Sequence, residues 1–318
     1  VAVGLIGVGA MGRHHARVYD ELAGASLVGV ADADVDRAAT VAEEFGTRPM
    51  PEQALLAVAD AVSVVVPTQE HAEVVRGCLD ADTHVLVEKP FVEDLDVGRA
   101  IAQQAREANL TLQVGHIERF NPATRVLEDI VPDLDIVGVD IERLGPPLDR
   151  VNQDNVVKDL MIHDVDILRQ LLGDDVESLS AVARDDRHVT AQFRFGNGSV
   201  ATLTASRLTQ EKVRRLSLTS LSCRVNVDFI DQSVEIHRRS LPEYVETEGD
   251  VRYRHESVVE HPRVSNGEPL KAELEAFLGA VREGTEPVVT AEDGLAALEL
   301  VERIEASALK QDRTVTAS

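Results

Sequence analysis

The first third of the chain alternates between two spacings of apolar residues. Short β-branched runs predict buried strands, and these runs are VAVGLIGV, SLVGVAD, AVSVVVP, THVLVEKP and LTLQVGH. Apolar residues three and four positions apart predict helices over residues 12–23, 35–45, 70–80 and 94–108. Strands separated by helices of this length predict right-handed βαβ units and a parallel, doubly wound sheet.

The rhythm changes after Asn121 and Pro122. A helix near 123–131, the strand DIVGVDIERL and a helix around KDLMIHDVDIL precede a series of strand-like runs with few helices. These runs are VESLSAVARD, HVTAQFRF, SVATLTASR, VRRLSLTS, CRVNVDFI and SVEIHRR. The segment FGNGS, residues 195–199, predicts a hairpin turn between two of them. Residues 240–268 are polar and predict irregular structure, and two helices, 269–283 and 291–309, follow.

These patterns predict an α/β protein with two domains. A Rossmann domain with a doubly wound parallel sheet is expected over residues 1–118, and an α+β domain with a large, mostly antiparallel open sheet over 119–318. A chain of 318 residues is long enough for two cores. Cys78 and Cys223 lie far apart in apolar segments, which predicts buried thiols in a reducing compartment.

The charge of the chain is strongly negative. The 56 acidic residues outnumber 32 basic ones, which gives a formal charge of -24, and only five of the basic residues are lysines. Such a surface repels itself in dilute buffer and is relieved when salt screens it, so we expect a saline cytoplasm. The charge disfavours nucleic acid and anionic membranes as partners. The absence of a long apolar run and of an apolar leader predicts a cytoplasmic protein that does not cross a membrane.

A glycine-rich motif follows the first predicted strand and opens a helix. Its residues are Gly7, Gly9, Ala10, Met11 and Gly12. Glycines at this spacing permit a tight turn and close approach of a pyrophosphate to a helix N-terminus. Asp32 lies 20 residues beyond Gly12, where a carboxylate can accept hydrogen bonds from the adenosine ribose. The sequence therefore predicts NAD rather than NADP, although Arg13 and Arg37 are near enough to weaken this preference.

Several other polar residues follow predicted parallel strands. In VPTQEHAE, Thr68 and His71 lie at the carboxyl edge of the sheet, where His71 either contacts a ligand or caps its own helix. In THVLVEKPF, Lys89 either contacts a substrate oxygen or forms an ion pair with Glu88. The adjacent His14 and His15 point about 100° apart on a helix, which disfavours a shared metal ion, and no metal site is expected.

The stretch KDLMIHDVDIL places three ionisable residues on one side of a helix. Asp159, His163 and Asp166 fall together, opposite a broad arc of apolar residues. Taken alone, this pattern favours a solvated helix face. The other interpretation is the acid–base apparatus of an active site, with Asp159 one turn before His163.

The motifs GVGAMGRHHA, Asp32, PTQEHAE, EKP and D-x-x-x-H, taken together, resemble those of the Gfo/Idh/MocA oxidoreductases. The stretch KAELEAFLGAVREGTEPVVTAEDGLAALELVERI is similar to the carboxyl-terminal region of that family. The resemblance implies NAD as cofactor, an open sheet that roofs the active site on one face and serves subunit contacts on the other, and a homodimer or homotetramer. It assigns catalysis to Lys89, Asp159 and His163, with a cis bond between Lys89 and Pro90. The cofactor-binding residues it implies are Gly7, Gly9, Ala10, Met11, Gly12, Asp32, Thr68, His71, Glu88 and Lys89.

A narrower resemblance concerns the substrate. VGHIERFNPA, LTQEKVRRLSLTS and VDFIDQSVEI are similar to the branch of the family that oxidises UDP-N-acetylglucosamine at its 3-hydroxyl. This similarity implies a small-molecule sugar or nucleotide-sugar substrate. The residues it places at the substrate are His116, Arg119, Asn121, Lys89 and His163. Arg207 stands where that branch is expected to have an aromatic residue.

The basic residues Lys212, Arg214 and Arg215 have two interpretations. They either neutralise the diphosphate of a nucleotide sugar or form a salt-bridged strand edge.

Three other functions remain as alternatives. The first is a dehydrogenase of a free sugar or cyclitol such as myo-inositol. The second is a glycosidase that uses NAD without net redox change, and the third is a nicotinamide-sensing regulator. The presence of lysine, aspartate and histidine together disfavours the regulator, because a binding module needs no proton-transfer groups.

Overall fold

The computed structural model describes residues 1–147, 155–239, 243–247, 250–254 and 257–315. The chain divides into two compact units. The first contains Val1–Phe120 and Gly267–Leu300, and the second contains the described parts of Asn121–Asn266 and Val301–Ser318.

The first unit is built on a five-stranded parallel sheet. Its strands are β1 (Ala2–Ile6), β2 (Ser26–Ala31), β3 (Ala61–Val64), β4 (His84–Glu88) and β5 (Leu112–Gly115), in the order β2-β1-β3-β4-β5. Its helices up to this point are α1 (Ala10–Glu21), α2 (Val35–Glu44), α3 (Glu52–Leu56), α4 (Thr68–Asp80) and α5 (Leu95–Ala108). The predicted parallel sheet is confirmed, whereas α3 is too short to show a helical period and was not predicted.

The second unit is built on an eight-stranded sheet. A 3₁₀ turn (Ile117–Phe120) precedes α6 (Pro122–Ile130), and a second one (Val131–Asp133) follows it. After β6 (Ile136–Leu144) come a π-helical turn (Val157–Met161) and α7 (Ile162–Leu172). The remaining strands are β7 (Val176–Arg184), β8 (His188–Phe195), β9 (Val200–Ser206), β10 (Val213–Ser220), β11 (Cys223–Asp228), β12 (Ser233–Arg239), β13 (Glu243–Thr247), β14 (Asp250–Arg254) and β15 (Ser257–Glu260).

The sheet order is β15-β12-β11-β10-β6-β9-β8-β7, and every neighbouring pair is antiparallel except β6 with β9. The predicted mostly antiparallel sheet is therefore confirmed, and so is the hairpin turn between β8 and β9, where Gly198 has φ +87°. The prediction of irregular structure over 240–268 is wrong, because β13 pairs with β14 and β15 joins the large sheet. The strands β13 and β14 are five residues long and mostly polar, which gives only a weak strand signal.

Two helices follow the strands, α8 (Pro269–Glu283) and α9 (Ala291–Val315). The bounds of α8 agree with the predicted helix over 269–283. Its apolar residues Leu270, Leu274 and Phe277 are buried against Val3 and Tyr19 of the first unit. The first unit therefore includes residues that the predicted division at 118 and 119 assigned to the second domain.

Helix α7 is buried on nearly every side, which differs from the solvated face that its polar stripe suggests. Asp164 and Asp166 are both 1% exposed. Arg143 of β6 donates from Nε to Asp164 at 2.8 Å, and both side chains are buried. This ion pair connects α7 to β6 of the large sheet, and the attraction between the two charges offsets the free-energy cost of burying them.

No helix among the described residues is both long enough and apolar enough to span a membrane. Cys78 and Cys223 are both buried thiols, as predicted, and burial raises the pKa of Cys78 to about 12.

Candidate cofactor and catalytic sites

The glycine-rich loop between β1 and α1 is shaped by close backbone contacts. Gly7 has φ +90°, and a Cβ there would lie 2.5 Å from the carbonyl oxygen of Val65. A Cβ on Gly12 would lie 2.0 Å from the carbonyl oxygen of Gly7. Neither position can carry a side chain without a shift of the backbone, so both glycines are needed for the turn itself.

Gly9 differs from these two glycines because the space beside it is open. A Cβ at Gly9 would meet no atom within 4 Å. Gly9 caps α1 without any side-chain hydrogen bond, and the first turn, which includes Ala10 and Met11, contains no acidic residue. The loop therefore offers backbone N–H groups and the positive end of a helix dipole to an anion, which fits the pyrophosphate of a dinucleotide.

Asp32 follows β2, where the sequence predicts a ribose-binding carboxylate. Its oxygens accept hydrogen bonds from the backbone N–H groups of Val8 and Asp34, both at 2.8 Å, and from Arg37 at 2.7 and 3.1 Å. Burial opposes its ionisation, but the hydrogen bonds from Arg37 and the backbone outweigh burial and hold the pKa of Asp32 below its usual value. The carboxylate is therefore ionised and fixed in place beside the glycine loop.

His71 lies within the first turn of α4 and is 1% exposed. Its Nδ1 lies 2.8 Å from the carbonyl oxygen of Pro90, and its Nε2 lies 2.9 Å from that of Val66. His71 thus links the loops that follow β3 and β4, at the predicted carboxyl edge of the sheet. Thr68 begins the same helix.

Glu88 ends β4 and connects it to α1. Its Oε1 lies 3.2 Å from Nε2 of the buried His15, and its Oε2 accepts the backbone N–H of Lys89 at 3.2 Å. Burial opposes ionisation, but His15 and Lys89 outweigh it and lower the pKa of Glu88. His15 is thereby engaged by a carboxylate. The Lys89–Pro90 peptide bond is cis, as the resemblance implied.

The same core contains a carboxyl group that the sequence analysis missed. Glu273 of α8 is fully buried, and neither of its carboxyl oxygens has a hydrogen-bond partner among the described residues. Burial raises the pKa of Glu273 well above its usual value, and the negative charge of Glu88 adds to this effect. In the stretch PLKAELEAF, Glu273 adjoins Leu270, Leu274 and Phe277 on the apolar side of the helix, and this placement was the available signal.

In the second unit, Asp159 and His163 lie across the junction of the π-helical turn and α7. Asn155 begins this segment, and its Oδ1 accepts the backbone N–H groups of Val157 at 2.9 Å and Lys158 at 3.2 Å. A wider π-helical turn keeps residues four apart on one face, and such turns are frequent at functional sites. His163 is half-buried.

Arg207 follows β9 and forms an ion pair with Asp159, in which Nη2 of the arginine donates to Oδ2 of the aspartate. This partner of a predicted catalytic residue was not foreseen, because the two positions lie 48 residues apart. The ionisable residues that were predicted to share one side of the helix therefore have different surroundings. Asp166 is buried, whereas Asp159 pairs with Arg207 and remains partly exposed.

Three of the five residues expected at the substrate lie near the end of the Rossmann segment. His116 is buried, and Nη2 of Arg119 lies 3.3 Å from Oδ1 of Asp293. Asn121 is also buried: its Oδ1 accepts the backbone N–H of Ala123 at 3.1 Å, and its Nδ2 donates to the carbonyl of Phe229 at 3.0 Å. Asn121 therefore caps α6 and connects the start of that helix to the residue after β11.

The basic residues near β10 engage neighbouring strands. Arg214 donates to the carbonyl oxygens of Leu144 and Val213, at 2.6 and 2.7 Å. Arg215 donates to Asp228 at 3.1 Å and is largely exposed. These contacts favour the strand-edge interpretation of the two arginines, while Lys212 is exposed.

Two family models match separate parts of the chain. A model of the Gfo/Idh/MocA oxidoreductases, described as an oxidoreductase family with an NAD-binding Rossmann fold, matches residues 1–116. A model of the GFO/IDH/MocA C-terminal domain matches residues 143–228.

Individual relatives agree with these models. UDP-N-acetylglucosamine 3-dehydrogenase of Acidithiobacillus ferrooxidans is 36% identical over 287 residues, which cover 87% of this chain and 88% of the relative. A solved structure of that enzyme has a TM-score of 0.86 and 33% identity, and covers 96% of this chain and 97% of its own. Inositol 2-dehydrogenase of Rhizobium meliloti is 28% identical over 321 residues, which cover 95% of each chain.

Proposed function

Since this chain belongs to the Gfo/Idh/MocA family of NAD-binding oxidoreductases, we propose that it oxidises the 3-hydroxyl of UDP-N-acetylglucosamine. The observation that carries this substrate is the 36% identity with UDP-N-acetylglucosamine 3-dehydrogenase over 87% of the chain. The similarity in fold extends over nearly the whole chain as well.

The cofactor supplies a hydride acceptor when it is bound. The open space at Gly9, the uncapped first turn of α1 and the ionised Asp32 fit its pyrophosphate and its adenosine ribose. Asp32 favours the unmodified ribose because a 2′-phosphate would meet a negative charge there.

We assign three residues of this chain to the chemistry of the carbinol. A carbinol can lose hydride only as its hydroxyl loses a proton, and His163 is suited to take that proton. Lys89 stabilises the negative charge that develops on the oxygen. Asp159 holds the imidazole in one orientation and increases its basicity. In the reverse direction, the same groups return the proton.

The positions of these residues in the described structure support the assignment. The backbone N–H of Lys89 is held by Glu88, which His15 holds in turn, so the lysine leaves its strand in a defined direction. Asp159 and His163 lie on one face of a helical segment, and Asp159 is partly exposed.

The test is a comparison of substrates in concentrated potassium chloride with NAD present. We expect NADH to appear with UDP-N-acetylglucosamine and not with simple aldoses. Lys89→Met and His163→Ala should each abolish turnover while NAD binding, followed by calorimetry, stays within about threefold of wild type, since uncharged replacements remove the proton and charge chemistry only. Retained turnover in either variant would contradict the assignment.

A second candidate function is oxidation of a cyclitol. Inositol 2-dehydrogenase of Rhizobium meliloti matches 95% of this chain, although its identity is lower. NADH formation with myo-inositol, without formation from the nucleotide sugar, would favour this function and would leave the fold and the three assigned residues in place.

A further inference from the structure

Arg207 is the partner of Asp159, and its surroundings distinguish it from an ordinary surface arginine. Its backbone N–H donates to the carbonyl oxygen of Arg187 at 2.8 Å, which fixes the backbone at the end of β9. Ser206 before it accepts the backbone N–H of Leu208 after it, at 3.2 Å. The guanidinium therefore extends from a rigid backbone rather than from a free loop.

The ion pair uses only part of the hydrogen-bonding capacity of Arg207. A guanidinium carries five N–H donors, and here Nη2 donates to Asp159. Among the described residues, Nε and Nη1 have no hydrogen-bond acceptor, and the side chain is 19% exposed. A partly buried planar donor group with unused N–H bonds is suited to recognise an oxygen at a defined position.

The charge of the pair determines which oxygen would suit it. The positive charge of Arg207 is already balanced by the carboxylate of Asp159. A phosphate or carboxylate at this place would lie beside two groups whose charges cancel, and it would be repelled by Asp159 itself. A neutral acceptor, such as an amide carbonyl or a hydroxyl, gains the hydrogen bond without that repulsion.

We propose that Arg207 is a specificity-determining residue that donates from Nε or Nη1 to a neutral oxygen of the substituent on the carbon next to the oxidised carbinol. This inference rests on the proposed function, because that function places Asp159 beside the reacting carbon. In UDP-N-acetylglucosamine the neighbouring group is the acetamido carbonyl at C2. Arg207 thereby distinguishes sugars by their 2-substituent, while Asp159 serves the proton transfer.

The test measures binding of nucleotide sugars to the NADH-loaded protein by calorimetry. UDP-2-deoxyglucose is the comparison ligand, because it keeps the 3-hydroxyl and the diphosphate and has no oxygen-bearing substituent at C2. For Arg207→Met we expect the affinity for UDP-N-acetylglucosamine to fall about 10- to 100-fold, the size of one hydrogen bond from a charged donor. The affinity for UDP-2-deoxyglucose should fall less than about threefold, because that ligand has no acceptor at C2.

Two further variants separate recognition from structural support. Arg207→Lys keeps a positive charge for Asp159 but loses the planar donor group, so kcat should fall less than in Arg207→Met, whereas the preference for the acetamido sugar should be lost in both variants. Arg187→Met is the matched control, because Arg187 lies near Arg207 but its exposed guanidinium pairs with Asp185. It should leave both affinities unchanged.

Equal losses for the two nucleotide sugars in Arg207→Met would overturn the inference, because they would indicate contact with the shared diphosphate or support of the fold alone. A failure of the proposed function has a different signature. If the wild-type protein oxidises inositol and not the nucleotide sugar, the same variants are compared on myo-inositol and on a deoxy analogue that lacks the hydroxyl next to the oxidised carbon. Loss of that discrimination in Arg207→Met would support the inference, and unchanged discrimination would overturn it.

Discussion

Replacement of Glu273 by glutamine should change how the stability of the protein depends on pH. In the folded protein the pKa of Glu273 is raised well above 4.5 by burial and by the negative charge of Glu88, so the group stays protonated after its unfolded counterpart has ionised. The unfolded chain then binds fewer protons than the folded one. Stability contributed by this group is therefore present below about pH 4.5 and is lost as the pH rises toward the folded pKa.

The change of stability with pH has a fixed slope, because the folded and unfolded states differ by one bound proton at Glu273. Between the unfolded and folded pKa values, each pH unit lowers the free energy of unfolding by about 1.4 kcal/mol. A difference of two pH units within this window therefore amounts to about 2.7 kcal/mol. Salt should change this little, because Glu273 is fully buried and its charge is not exposed to screening.

Glutamine keeps nearly the shape of glutamic acid and cannot ionise. The free energy of unfolding of Glu273→Gln, relative to wild type, should rise with pH along this slope and become constant above the folded pKa. Guanidinium unfolding followed by circular dichroism, at several values from about pH 4 to about pH 8 and at one salt concentration, measures the difference. Glu275→Gln on the same helix is the matched control, because it makes the same replacement at an exposed position.

A flat difference for Glu273→Gln across the whole range would refute the reasoning. It would mean that Glu273 is ionised in the folded protein at ordinary pH, with a partner for its charge. The titratable groups that adjoin it in this core are Glu88, His15 and the phenol of Tyr19, whose own pKa is raised by burial and, in part, by Glu273.

Three further predictions concern the cofactor, the second unit and the surface. Asp32→Ala should release Arg37 to bind a 2′-phosphate and raise the ratio of NADP affinity to NAD affinity by about 10- to 100-fold, measured by calorimetry. An unchanged ratio, or the same rise when Arg37→Ala is added, would contradict this. Arg143→Met should destabilise the second unit by about 3–5 kcal/mol in denaturant titrations because it leaves Asp164 buried and charged, and Asp164→Leu in addition should recover much of the loss. The melting temperature should rise between about 0.1 M and about 1 M potassium chloride, because the Debye length falls from about 10 Å to about 3 Å and the net charge of -24 is screened. A constant melting temperature would argue against adaptation to salt.

Most of the helices and strands could be predicted, because the spacing of apolar residues that indicates them is a property of a few neighbouring positions. The helix over 269–283 was placed with the bounds that α8 has, and the runs from VESLSAVARD to SVEIHRR all form strands of the large sheet. The hairpin of β13 and β14 was missed, since its two strands are only five residues long and mostly polar.

The candidate cofactor site could also be predicted from the sequence, because the loop of Gly7, Gly9 and Gly12 and the nearby Asp32 belong to one βαβ unit. The contacts that hold Lys89 and Asp159, two of the predicted catalytic residues, could not be predicted from the sequence. Glu88 meets His15 from a helix 73 residues earlier, and Asp159 meets Arg207 from a strand end 48 residues later.

The sequence by itself determined most of the element types, the glycine loop and the family, because backbone preference, hydrophobic period and motif spacing act over short distances. Only the tertiary structure decided the raised pKa of Glu273 and the partner of Asp159. Burial and Coulomb interaction depend on distances in space, and residues far apart in the chain are brought within a few ångströms only when the core closes.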